Sequence, residues 1–286
     1  MIPTLIRDII PSAFLEEYVR KYQVFRFQFQ KEIIPPIKHH YPRPEHSITF
    51  YINDKQNYED TNLTIKPYPS CVINGIYTVP VHRHAGNNFL AIKVVLQPST
   101  LYQLLRVSIT ELTNNFLDAE SIWGNDVAML CDRLKQEDDL DKMITCIESF
   151  LIIKLKKINI DFTPIDTASK WLLQQENNVS IDWLASQSCL SKRQFIRNFE
   201  KRIGVSAKTF ERIIRFDKAY RLKNLHPQYD WLYIAIACGY HDYQHMGKDF
   251  KSLTELTPSS LLNWNYRHLN AILVFHIFLT MSLFYQ

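Results

Sequence analysis

The chain has 286 residues, 46% of them hydrophobic and 22% charged, with only 6 Gly; this excludes collagen-like and largely disordered chains and fits two folded domains of ordinary size. The formal charge of +4 is unevenly spread, since residues 1–165 carry 18 Lys+Arg against 19 Asp+Glu while residues 166–270 carry 15 against 10. The second half is therefore the one expected to meet a polyanion.

The N-terminal stretch MIPTLIRDIIPSAFLEEYV has no basic region followed by an apolar core and a small-residue cleavage site, so no signal peptide is read there and a cytoplasmic protein is expected. The five cysteines (Cys71, Cys131, Cys146, Cys189, Cys238) are odd in number, far apart and never in a CxxC pair. That argues against a disulfide framework and a zinc site, and for reduced, mostly buried thiols.

From Ile33 to Pro98 the chain is punctuated by Pro35, Pro36, Pro42, Pro44, Pro67, Pro69 and Pro80. The β-branched and aromatic runs between them, 47–52, 61–68, 70–81 and 89–96, predict strands of a small sheet or barrel. His82 and His84 form an HxH pair in this region, with His39 and His40 earlier. A cupin-type metal site would need a Glu three or four residues later, and Gly86, Asn87, Asn88 and Phe89 stand there, so no metal is expected.

After Pro98 the pattern turns helical, with STLYQLLRVS, SIWGNDVAMLCDRLKQ and a long helix from Leu140 to Lys156 whose Met143, Ile144, Ile147, Phe150 and Leu151 share one face. The basic, then polar segment Lys154–Pro164 closes on a proline, which places a domain boundary there. Helices are then predicted over 165–175, 181–188, 191–202, 206–224, 231–238 and 242–252. The whole reads as an α+β N-terminal domain, 1–164, followed by an all-α domain, 165–270.

Within the helical half, Ser180 can cap a helix with Ile181, Leu184 and Ala185 on one face, and Ser191 a second helix after a short break. Helix, tight turn, helix requires a small residue where the two backbones approach, and Ala185 occupies that place. In the second helix Phe195 and Phe199 point inward at i, i+4, which leaves Lys192, Arg193, Ile196 and Arg197 on the opposite face. Arginine there suits guanine edges in the major groove, while Lys192 and Lys201 suit phosphates. The same grammar recurs in Ile234, Ala235, Gly239, Tyr240, a cap at Asp242, and inward Met246 and Phe250. Between the copies Phe210, Ile213, Ile214, Ala219 and Leu222 form a linker helix that also carries Arg212, Arg215, Lys218, Arg221 and Lys223. A rigid spacer of this kind would set two reading helices about 34 Å, one duplex turn, apart.

On these residues the segment 166–268 resembles the DNA-binding domain of the AraC/XylS family of bacterial transcription activators. The first-unit signature is WLASQSCLSKRQFIRNFEKRIGVSAKTF (183–210) and the second GYHDYQHMGKDFKSLTELTP (239–258). The resemblance implies base contacts from Arg193, Ile196 and Arg197, and from Tyr243, Gln244, Gly247 and Lys248. Three residues depart from the family pattern: Cys189 where the first turn usually has Gly, Glu255 in place of the Gly before Thr257 and Pro258, and Lys248 in place of Arg. The first turn is therefore expected to be strained and the second reader weaker. Charge agrees, since residues 179–225 hold 11 Lys+Arg against 4 Asp+Glu and residues 226–270 hold 3 against 4. The resemblance also implies a cupin-like N-terminal half that binds a ligand or dimerises, without naming any effector-binding residue.

No Gly-rich phosphate loop, GxSxG or HExxH occurs, so no catalytic residues and no enzyme are expected. A fused DNA-alkylation-repair sensor would need clustered N-terminal cysteines, and Cys71, Cys131 and Cys146 are scattered. A metal-dependent cupin enzyme joined to the DNA-binding helices is a remaining reading. Duplex DNA is the expected partner, with RNA polymerase, a small-molecule effector and a second copy of the chain as open candidates; no cofactor and no membrane partner is expected. A DNA-binding regulator without an effector, its N-terminal half serving dimerisation alone, is the alternative. The apolar tail 271–286 falls short of the roughly 20 residues that span a bilayer and carries His276, leaving a short anchor, a packed element and an atypical gene end as readings.

Overall fold

The computed structural model describes residues 5–30, 32, 35, 37–59, 64–174 and 179–262. The expectations for the tail 271–286 and for residues 61–63, 175 and 263–270 lie outside them. The expected α+β architecture is present: ten strands precede or interleave with the first helices, and the remaining helices follow.

Six strands form one antiparallel sheet in the order β1 (Leu5–Ile9), β2 (Val19–Gln28), β9 (Asn88–Leu96), β4 (Ser47–Tyr51), β7 (Cys71–Asn74) and β10 (Phe116–Asp118). Four shorter strands make a second, in the order β3 (Lys38–His40), β8 (Val81–His84), β5 (Asn57–Glu59) and β6 (Ile65–Pro67). Period-two alternation along β9 explains how the large sheet serves two cores. Leu90, Ile92, Val94 and Leu96 join the core shared with α1 (Thr100–Leu105), α3 (Asn125–Gln136) and α4 (Leu140–Lys156), while Phe89 and Ala91 pack with Tyr51, Tyr68 and Val72 on the opposite face. The register keeps this division across neighbours, with Ile92 opposite Val24 and Phe50, and Ala91 opposite Phe25 and Tyr51.

Predicted strands 47–52, 70–81 and 89–96 overlap β4, β7 and β9, and β6 lies within the run 61–68. The run 70–81 reaches β8 only at its last residue, because the chain leaves the sheet after Asn74. The stretch 119–136 splits at Gly124 (φ +56) into α2 (Ala119–Trp123) and α3, since glycine adopts this left-handed backbone without a Cβ penalty. Helix α4 has the predicted bounds, and Asp139 caps it by accepting from the amides of Asp141 and Lys142.

Helices α5 (Pro164–Gln174), α6 (Ile181–Gln187), α7 (Lys192–Ile203), α8 (Ala207–Leu225), α9 (Trp231–Ala237) and α10 (Tyr243–Thr254) follow the predicted series within one or two residues at each end. Their inward faces build a separate core around Phe195, Phe199, Phe210, Phe216 and Phe250, to which the β-rich half contributes Ile76. Among the described residues no helix is long and apolar enough to cross a membrane.

Candidate nucleic-acid interface

Two helical pairs, α6/α7 and α9/α10, repeat the same turn fifty residues apart. In the first, the amide of Cys189 donates to Ser186 O at 3.0 Å and that of Leu190 to Ala185 O at 3.0 Å; in the second, Gly239 donates to Ile236 O at 3.1 Å and Tyr240 to Ala235 O at 2.9 Å. Both small residues are buried, Ala185 at 3% and Ala235 at 0% exposure, as close backbone approach requires.

Each second helix begins with a satisfied cap. Ser191 and Gln194 form a reciprocal capping box, and Asp242 accepts from the His245 amide at 2.7 Å. Phe195 and Phe199 on α7 and Met246 and Phe250 on α10 are fully buried. On the outward faces Lys192, Arg193, Arg197 and Lys201 of α7 and Tyr243, Gln244 and Lys248 of α10 are exposed, with Ile196 and Gly247 half-buried. A Cβ built on Gly247 would meet nothing within 4 Å, so packing does not demand glycine at that point.

Both turns run through left-handed backbone. Cys189 has φ +52 and Glu255, closing α10, has φ +65; Gly239 (φ +80) and Gly204 (φ +91) stand at the equivalent places of the other unit. The two residues that replace glycine therefore sit where an L side chain crowds the following carbonyl. Cys189→Gly is expected to stabilise the chain by about 1 kcal/mol, the relief of backbone strain outweighing the added entropy of the unfolded state. Chemical denaturation of the two proteins measures it, and an unchanged or lower midpoint would refute strain at this turn.

The domain match is local. Residues 184–263 match the model described as a helix-turn-helix domain, and the matched span starts in α6 and runs through α10. Residues 184–263 thus form a helix-turn-helix domain. An uncharacterized HTH-type transcriptional regulator from Haemophilus influenzae is 36% identical over 97 residues, 33% of this chain and 32% of the relative; the chain thus matches about a third of that relative's length. Among solved structures, an apo ToxT variant from Vibrio cholerae aligns over 85% of this chain and 97% of its own at 14% identity and TM-score 0.48. The DNA-binding domain of AdpA in complex with a target DNA aligns over 37% of this chain and 96% of its own at 19% identity and TM-score 0.34. The AraC-like activator CuxR covers 76% and 86% of the two chains at 11% identity and TM-score 0.26. At these scores the likenesses carry no weight for function.

The helix-turn-helix domain uses many of its cations internally. Arg212 on α8 donates to Asp249 of α10 at 2.8 Å, Arg215 lies 3.7 Å from the same carboxylate, and Arg221 pairs with Asp217 at 2.8 Å. Lys223 is buried and donates to Pro227 O and Tyr229 O. Arg212, Arg215, Arg221 and Lys223 of the linker helix therefore hold α10 and the helix's own end, while Lys192, Arg193, Arg197 and Lys201 stand exposed on α7. Lys192 is itself paired with Asp182 at 3.0 Å, but both side chains are more than half exposed, so the pair is weak and exchangeable.

The far end of α7 is not free. Arg202 is buried, places one nitrogen 3.1 Å from both Asp166 oxygens, bonds Asp161 Oδ2 at 3.0 Å, and lies over the Tyr102 ring of α1 at 4.6 Å. The Lys201 ammonium is 5.5 Å above the same ring. The last carbonyls of α7 are satisfied from the N-terminal half: His46 Nε2 lies 3.0 Å from Ile203 O, and Thr113 Oγ1 donates to Gly204 O at 2.6 Å. Burial holds the His46 pKa down at about 4, against a smaller upward pull from that carbonyl and Glu45, so the ring is neutral and carries its proton on Nε2. Sequence reasoning assigns no function to Arg202, Asp166, His46 or Thr113. One signal does exist, because Phe195, Phe199 and Arg202 are spaced four and three apart, which puts Arg202 on the inward face.

The HxH pair lies on the outer face of the small sheet. His82 and His84 sit 3.8 and 3.6 Å from Glu59, and His82 packs against His39 at 4.3 Å between rings. The sheet thus supplies in space the carboxylate that the local sequence lacks, yet no group of three or more metal-ligating side chains among the described residues is placed to hold an ion.

Proposed function

We propose that the chain is a sequence-specific DNA-binding transcription regulator, with residues 165–270 as the reader, residues 1–164 as a sensing or pairing domain, and a cytoplasmic place of action. What carries the reading is the repeated, fully hydrogen-bonded turn, each copy presenting a capped helix with an exposed polar face. Arg193, Ile196 and Arg197 of α7 and Tyr243, Gln244, Gly247 and Lys248 of α10 contact base edges in successive major grooves, and Lys192 and Lys201 contact phosphates. Lys201 already lies over Tyr102, so Lys192 is the stronger phosphate candidate. The first unit supplies most of the affinity, since the exposed cations gather on α7 while α10 offers Lys248 and Lys251.

Selection of bound sites from a random duplex library by the full chain, at near-physiological salt, tests this. A site with two contacted segments about 10 base pairs apart is expected; binding without sequence enrichment that merely fades as salt rises would refute it. Arg197→Ala is expected to cost about 1–3 kcal/mol of discrimination at one position of the selected site. An unchanged preference would remove Arg197 from the set of reading residues.

A further inference from the structure

Two cysteines that stand far apart in the sequence are brought together by the fold. Cys71 opens β7 of the large sheet, Cys131 lies on α3, and their thiols share a hydrogen bond. Both are buried, at 3% and 7% exposure, in the core that joins this sheet to α3 and α4. They nevertheless line a common cavity of about 230 Å³, whose rim carries the exposed Asp132 and Lys135. A molecule little larger than water can therefore reach the sulfurs, while bulkier reagents meet the exposed Cys189 first.

The two sulfurs are not equivalent. The hydrogen bond from Cys71 lowers the Cys131 pKa, burial opposes it, and Lys135 adds to the lowering against Asp132 and Glu120. Burial raises the pKa of Cys71, and so does donating that hydrogen bond. The thiolate is the form that attacks an oxidant, which makes Cys131 the attacking sulfur and Cys71 the resolving one. Sulfurs close enough to share a hydrogen bond need only a small approach to bond covalently.

We propose that Cys71 and Cys131 are a modification site, at which a small hydroperoxide entering the cavity writes a reversible disulfide. The Cys131 thiolate attacks one peroxide oxygen and the O–O bond breaks. The other oxygen leaves as hydroxide and takes up the thiol's former proton to become water, which leaves Cys131 as a sulfenic acid. The Cys71 sulfur displaces the sulfenic oxygen, which departs as a second water with the Cys71 proton, and the S–S bond closes. Two thiols lose two electrons and the peroxide gains them. The bond ties β7 to α3 and is reopened by exchange with a thiol reductant, so in a reducing compartment it is transient. The site belongs to the N-terminal half alone and is independent of the DNA-reading assignment.

The test is peptide mapping of the native full chain, unaltered and as Cys189→Ser, after graded hydrogen peroxide and alkylation of the remaining thiols in denaturant. A cross-link between the Cys71 and Cys131 peptides, reversed by dithiothreitol, is expected in both proteins, with Cys146 and Cys238 recovered alkylated. In the Cys189→Ser background, Cys71→Ala should abolish the cross-link and leave Cys131 as a sulfenic acid that dimedone captures. Cys131→Ala should leave Cys71 unoxidised at the same dose. Circular dichroism reports whether these variants fold, and where one does not, the map of the Cys189→Ser chain decides. Recovery of Cys71 and Cys131 as free thiols at doses that oxidise Cys189, a cross-link that forms only in denaturant, or one that joins Cys131 to Cys146 instead would overturn the proposal.

Discussion

Arg202→Ala is expected to destabilise the folded chain by about 3–5 kcal/mol, the loss typical of breaking a buried ion pair by removing one partner. The side chains of Arg202 and Asp166 are only 7% and 5% exposed. Without the guanidinium, Asp166 stays buried with its charge unmatched, and the Asp161 carbonyl loses a donor. Lysine should not rescue the variant, because one ammonium cannot reach Asp166 and Asp161 in the two directions that the guanidinium fork spans. Asp161→Asn should cost well under 1 kcal/mol, since that carboxylate is 62% exposed and its pair is screened. Urea midpoints of the three variants and the parent decide the matter. A loss below about 1 kcal/mol for Arg202→Ala would mean that the buried pair contributes little beyond what water would provide.

Phe199→Ala should be of similar size, about 3–5 kcal/mol, through the cavity left by a ring that no collapse can fill. Phe199 is fully buried between Phe195, 5.7 Å away between ring centroids, and Phe210, 5.9 Å away. It ties the reading helix α7 to the linker helix α8, so the substitution should weaken DNA binding as well as stability. Phe250→Ala in the second unit, where the ring meets Phe216 at 4.8 Å and Trp231 at 5.7 Å, should show the same loss of stability with a smaller loss of affinity. Equal affinity losses in the two variants would show that both units hold DNA equally and would remove the ranking drawn from charge.

The helical half was largely legible in the sequence because its signals are local. Caps at Ser180, Ser191 and Asp242, apolar spacings of three and four, and the small residues Ala185 and Ala235 all act within one turn of where they stand. The departures from glycine at Cys189 and Glu255 were legible too, and both fall at positive φ. The β-rich half was less so. Strands β3, β5 and β6 are three residues long, too short for a period to declare itself, and β2 stands in a run, VRKYQVFRFQ, where basic and amide residues interrupt the apolar ones. Contacts that join distant segments were not legible at all. No local pattern assigns partners to the basic residues of α8, and only the fold brings Asp249 to Arg212 from 37 residues away. Glu59 reaches His82 and His84 for the same reason, across paired strands rather than along one.

The distribution of thiols has a practical consequence. Cys71, Cys131, Cys146 and Cys238 are buried and Cys189 is exposed. Under native conditions a maleimide dye should therefore couple to Cys189 first, in the unaltered protein. That position lies two residues before the cap of α7 and outside the set of proposed base and phosphate contacts. Fluorescence from a probe there would report the arrival of a duplex at the first unit directly, without engineered cysteines, and would leave the second unit free to be scored by difference.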